Sequence, residues 1–241
     1  MTLSRIRQPV RFSTPAVVVE PPAEPQVPTP LTTDVKMFFW GHSLIDHASF
    51  TNTNISVWID ELVTEASYNF AVNGAFGFGA QHAANLPPPK QLGYPSVTEL
   101  TNADPITSAE WLAADVNTTL FTPANFRQDG PADGVTGGWS DITTETTNTL
   151  FSFAENANPG NHRHIIYEHW TDMGGSTSAD FSSTFPTPAE LDAYWALNES
   201  YNHPWFINYH DAMMRDYPEL DVKLLPVGYI LGKLLGAGGT L

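Results

Sequence analysis

Cysteine is absent from all 241 residues. That excludes disulfides, thiolate zinc sites and thiol catalysis, and it leaves the redox compartment unreadable. Basic charge is nearly as scarce: ten Lys and Arg stand against 26 Asp and Glu, for a formal net charge of −16. Nucleic-acid binding rests on basic surface that neutralises phosphates, so no nucleic-acid partner is expected. An anionic membrane surface is disfavoured on the same ground. No apolar run approaches the length of a membrane span. The N-terminus carries basic residues, but prolines interrupt it before any apolar core that would read as a signal peptide. A secreted or periplasmic form, its leader already removed, is slightly favoured over a cytoplasmic one.

What is present can build a core. Hydrophobic residues make up 41% and aromatic residues 12% of the chain, enough for one large domain. Residues 1–33 are the exception. Pro15, Pro21, Pro22, Pro25, Pro28 and Pro30 break every short run there. Proline fixes φ, removes a donor and pushes its predecessor to extended geometry. The expectation is a Pro-rich arm or linker over 1–33 and one domain over 34–241.

Within that domain, short apolar runs alternate with helical patterns. Strands are expected at Val35–Trp40, Tyr68–Val72, Thr118–Thr122, His164–Glu168 and Val222–Leu225. A helix over Ile55–Ala66 follows from apolar residues at 55, 58, 59, 62, 63 and 66. Another is expected over Asp141–Asn156, with Ile142, Thr146, Leu150 and Phe153 on one side. Thr187-Pro188-Ala189-Glu190 is a capping box with proline at the first helical position. Further helices are expected from Pro204 to Asp216 and over Val227–Leu235. Strands alternating with helices imply a parallel sheet covered on both faces.

The chemistry centres on Val35–Leu44. A bulky apolar strand ends abruptly in Gly41-His42-Ser43-Leu44. Ligands bind at the carboxyl ends of strands in open α/β sheets. Ser43 is therefore placed as a nucleophile. Serine is weak until a base takes its proton, and it needs donors aimed at the developing oxyanion. The Ser43 N–H, the backbone of Gly74 after the second strand and the side-chain amide of Asn125 after the third are the candidate donors. Glu168, His169 and Trp170 at the end of the fourth strand, with His42 beside the serine, are candidate substrate contacts. Each residue also has a plainer role open to it. Ser43 and Asn125 can be turn caps, Gly74 a turn glycine, and Glu168 a solvated loop charge.

The order of Gly41-His42-Ser43-Leu44, Gly74 and Asn125 along the strands, with Tyr167-Glu168-His169-Trp170 and Leu225-Pro226-Val227-Gly228 beyond them, resembles the SGNH/GDSL hydrolase superfamily over roughly residues 35–235. The resemblance implies a flavodoxin-like, three-layer α/β/α fold with a mainly parallel five-stranded sheet. It also implies hydrolysis of an acyl ester, of a small molecule or a carbohydrate, through an acyl-serine. It calls for no cofactor. His42 stands where the superfamily has Asp, and Asn125 lacks the usual Gly-x-Asn-Asp context.

The resemblance also implies a late Asp-x-x-His base after the fifth strand. None of the eight histidines fits that pattern. Three explanations stand. The base lies beyond Leu241, which is the expectation. Otherwise His169, His42 or another histidine of the chain replaces it, or the protein is a non-catalytic carbohydrate- or protein-binding relative. The α/β-hydrolase elbow is rejected, because Ile45 occupies its final glycine position. No metal site is expected from His162, His164 and His169. The first two share a strand face, the third sits at the other end, and no carboxylate is fixed beside them.

Overall fold

The computed structural model describes residues 33–42, 45, 55–92, 97–123, 144–159, 162–170 and 187–236. The expected arm, apart from Thr33, lies outside the described residues, as do Ser43, His47 and Asn125.

Five strands form one sheet: β1 (Asp34–Gly41), β2 (Asn69–Phe76), β3 (Thr118–Phe121), β4 (Arg163–Tyr167) and β5 (Val222–Leu225). All neighbouring pairs are parallel, in the order β2-β1-β3-β4-β5. This is the flavodoxin-like order. Strands buried on both faces read as continuous apolar runs rather than alternating ones, and Met37-Phe38-Phe39-Trp40 is such a run, buried throughout.

Alternation along the strands splits the core in two. Phe38, Trp40, Phe121, Ile166 and Val222 face one side. Met37, Phe39, Leu120 and Tyr167 face the other. The first side is covered by α3 (Ser108–Ala114), α4 (Thr144–Ala157) and α6 (His203–Asp216). The second is covered by α1 (Ile55–Glu65) and by the start of α7 (Val227–Leu235). Two sandwiched cores make the three layers. No helix among the described residues is long and apolar enough to cross a membrane.

Two short helices were not expected from the sequence. One is α2 (Gly79–Ala84), inside the glycine-rich stretch after β2. The other is α3, which opens with a capping box: Glu110 N–H donates to Thr107 Oγ1 at 3.3 Å, and Thr107 N–H to Glu110 Oε2 at 2.8 Å. Its Trp111 stacks on Trp40 with ring centroids 5.8 Å apart. The expected box at Thr187 opens α5 (Pro188–Leu197), with Thr187 N–H donating to Glu190 Oε2 at 2.7 Å.

Three details differ from expectation. The apolar stripe of α1 is wider than its cover, so Trp58 and Leu62 are 56% and 72% exposed. On α4 the buried stripe is Thr147, Leu150, Phe151 and Ala154. The expected face shared only Leu150 with it, because β-branched and small residues on both faces blurred the period. Finally, α5 and α6 are joined by a π turn, Asn198–Asn202, so Pro188 to Asp216 is helical without a break.

Candidate functional site at the carboxyl edge of the sheet

In this strand order the chain leaves β1 towards β2 on one side and β3 lies on the other. The crevice between β1 and β3 is the topological switch point, where open α/β sheets bind ligands. The end of β1, at Gly41-His42, borders that position.

The end of β1 is held tightly. Ile45 N–H donates to the His42 carbonyl at 2.9 Å. Gly41 accepts from Gly77 N–H at 2.8 Å, which ties the ends of β1 and β2 together. A Cβ on Gly41 would lie 2.5 Å from Ile45 Cδ1, so a larger residue there must displace the Ile45 side chain. His42 is buried, with its ring 5.5 Å from that of Phe78.

Gly74 is not past the end of its strand. It sits within β2, level with Phe39 of β1. Its carbonyl accepts from the N–H groups of Gln91 and Leu92 at 2.9 and 3.0 Å, and it bridges to Leu92 on the outer edge of the sheet. The glycine at the end of β2 is Gly77.

Behind Gly77 lies His82 of α2, which the sequence did not single out. Burial pushes its pKa down to about 4, against the opposing pull of the Gly77 and Gly41 carbonyls. Its ring stands edge-on to Phe121 of β3 at 6.5 Å, and its Nε2 is buried without a hydrogen-bond partner.

A second group sits at the end of β4. Trp40, Phe121 and Ile166 are in register across β1, β3 and β4. His42 and Glu168 thus both lie two residues beyond one level. With strands about 4.8 Å apart, β1 and β4 are about 10 Å apart. Glu168 is fully buried, contrary to a solvated loop charge. One carboxylate oxygen accepts from Tyr229 N–H at 2.8 Å, in the first turn of α7, where the helix dipole favours negative charge. The other pairs with His203 Nδ1 at 2.7 Å. Burial pushes the Glu168 carboxyl up, with His203 and the Tyr229 amide pulling the other way. Tyr229 stacks on the His203 ring at 4.2 Å.

His169 is wholly enclosed. Its Nδ1 hydrogen-bonds the Trp170 carbonyl at 2.7 Å and its ring stands edge-on to Phe206 at 5.1 Å. Burial pushes its pKa down to about 4. Gly228 packs on this segment so closely that a Cβ there would overlap the His169 carbonyl oxygen. Trp170 is half-buried at the rim.

The remaining histidines belong elsewhere. His164 lies in the first half of β4, where its Nδ1 meets Thr119 Oγ1 at 2.7 Å and its Nε2 meets Glu155 Oε1 at 3.2 Å. His210 reaches the carbonyl of Val222 at the start of β5. Among the described residues no group of three His, Asp or Glu is arranged to hold a metal ion.

The structure thus brings His42, Glu168, His169 and Trp170 to one edge of the sheet. It adds His82, Asn198, Asn202, His203 and Tyr229 to them. Only long-range packing unites these residues, so no local signal marked them. Comparison with protein-family models, with curated proteins and with solved structures found no match.

Proposed function

We propose that the chain is a serine-dependent ester hydrolase of SGNH/GDSL type, with Ser43 as nucleophile. One observation carries this: Gly41-His42 ends β1 at the switch point of a β2-β1-β3-β4-β5 sheet, with Gly41 packed closely against the Ile45 side chain. Ser43 attacks the acyl carbon as a general base takes its proton, its own N–H with the Asn125 amide stabilises the oxyanion, the alcohol leaves with that proton, and water then releases the acid from the acyl-serine. Gly74, with its carbonyl bound at the outer edge of β2, is not assigned a donor role. The ends of β1 and β4 are about 10 Å apart, too far for direct contact and suited to a sugar-sized ester that reaches from Ser43 towards Trp170. A chromogenic acetyl ester offered to wild type and Ser43→Ala is the test. Hydrolysis that disappears in the variant supports the proposal, and equal rates overturn it.

A non-catalytic carbohydrate-binding role is the second reading. It is favoured by the burial of His42 and His82 beside the end of β1, and by the low pKa of His82. A general base needs a pKa near the working pH.

A further inference from the structure

The helical run from Pro188 to Asp216 passes through the π turn at Asn198–Asn202, where His203 N–H donates five residues back to the Asn198 carbonyl. Such turns recur at functional sites. Asn198 and Asn202 stand four apart and share a face. Both are buried. Asn198 Nδ2 donates to the Gly228 carbonyl at 2.5 Å. Asn202 Nδ2 donates to the His169 carbonyl at 2.7 Å and to Asn198 Oδ1 at 3.2 Å.

We propose that Asn202, seconded by Asn198, is a positioning residue that clamps the Glu168–Trp170 segment against the start of α7 and so sets the wall on which Trp170 stands. Two amides from one helical turn grip two backbone carbonyls on two different elements, the end of β4 and the first turn of α7. Those elements are already in contact, since Gly228 N–H donates to the Glu168 carbonyl at 3.1 Å. Packing alone does not account for the pair. Asn202 Oδ1 is buried without a partner, and an apolar side chain would fill the space without that desolvation cost. What an apolar side chain cannot do is hold the His169 carbonyl. The clamp stands on this geometry; its role in substrate binding rests on the ester-hydrolase proposal.

The test compares wild type with Asn202→Asp, which keeps size and Oδ1 but loses the donor. Amide hydrogen exchange is read at 168–170 and 228–229, with α1 as internal reference. Loss of the bonds to the His169 carbonyl and to Asn198 Oδ1 predicts exchange faster by at least about tenfold at those amides and unchanged in α1. In parallel, KM for p-nitrophenyl acetate rises while kcat stays within about twofold, the pattern of lost uniform binding. Exchange at 168–170 equal to wild type overturns the clamp, and unchanged KM in an enzyme that depends on Ser43 overturns its role in binding. If wild type and Ser43→Ala hydrolyse the ester equally, the hydrolase proposal falls while the exchange result still decides the clamp. Should Asn202→Asp not fold, Asn202→Ser, too short to reach His169, serves the same comparison.

Discussion

Glu168 and His203 meet at 2.7 Å, carboxylate Oε2 to imidazole Nδ1, with the Glu168 side chain wholly buried and that of His203 21% exposed. The second carboxylate oxygen takes the Tyr229 amide of α7. One acidic side chain at the end of β4 thereby ties down two helices. Glu168→Ala leaves an imidazole and a helix-terminal N–H without their acceptor and is expected to cost about 3–5 kcal/mol, as for a broken buried pair. Glu168→Gln keeps an acceptor and is expected to cost about 1–2 kcal/mol. Urea unfolding of both variants measures the difference. Equal and small losses would show that Glu168 does not hold α7.

Gly228 makes a sharper steric prediction. The obstacle to a Cβ there is the backbone of His169 and Trp170, which cannot rotate away as a side chain can. Gly228→Ala is expected to cost about 2–4 kcal/mol, in the range of strain imposed on a packed core. The loss should appear in the denaturation midpoint, with the largest chemical-shift changes at residues 168–170.

At Gly41 the obstacle is the far end of the Ile45 side chain, 2.5 Å from the virtual Cβ. Gly41→Ala alone is expected to cost about 1–3 kcal/mol. Combined with Ile45→Val, which removes Cδ1, part of that cost returns. A double-mutant cycle reads the coupling directly. Strict additivity would mean that the two residues do not press on each other.

Acid should destabilise the protein well above the carboxylate range. Burial lowers His82 and His169 to about 4 and His164 to about 3, from an ordinary 6.5. Their folded-state pKa values lie below the unfolded value, so the stability they represent is present above pH 6.5 and is lost as pH falls towards 4. At pH 5 each contributes a loss of about 2 kcal/mol relative to pH 7.5. Glu168 acts in the opposite direction. Its raised folded-state pKa means that protonation favours the fold as pH falls towards 4.5. Glu155, likewise raised by burial, acts with Glu168; the three histidines outweigh these two carboxyls, so unfolding free energy should drop by several kcal/mol between about pH 7.5 and 5. His164→Phe should flatten that dependence by about one third.

The five-stranded parallel sheet is legible because each strand is a compact apolar run set between helical or loop patterns, whereas the strand order is not written in those runs. β5 and α7 fall on their expected bounds, Val222–Leu225 and Val227–Leu235. The strand expected at Tyr68–Val72 ends four residues before the observed Phe76, because Gly74 and Ala75 carry no β signal. The structure shows them paired with Phe39 and Trp40. The helical spacing puts Trp58 on the apolar stripe of α1, yet it is exposed, because periodicity finds a stripe but not the width that neighbours cover. Of the candidate site, the ends of β1 and β4 were legible. The Glu168–His203 pair and the Asn202–His169 bond were not. They join residues more than thirty apart, and nothing local in a sequence marks a partner chosen by tertiary packing.

The central proposal is that Ser43, two residues after β1 in the sequence, performs the chemistry. Its most direct test is the rate of p-nitrophenyl acetate hydrolysis by wild type and Ser43→Ala, with circular dichroism confirming that both are folded. A nucleophile predicts a loss of at least about a thousandfold in kcat. Indistinguishable rates in two folded proteins would contradict the account.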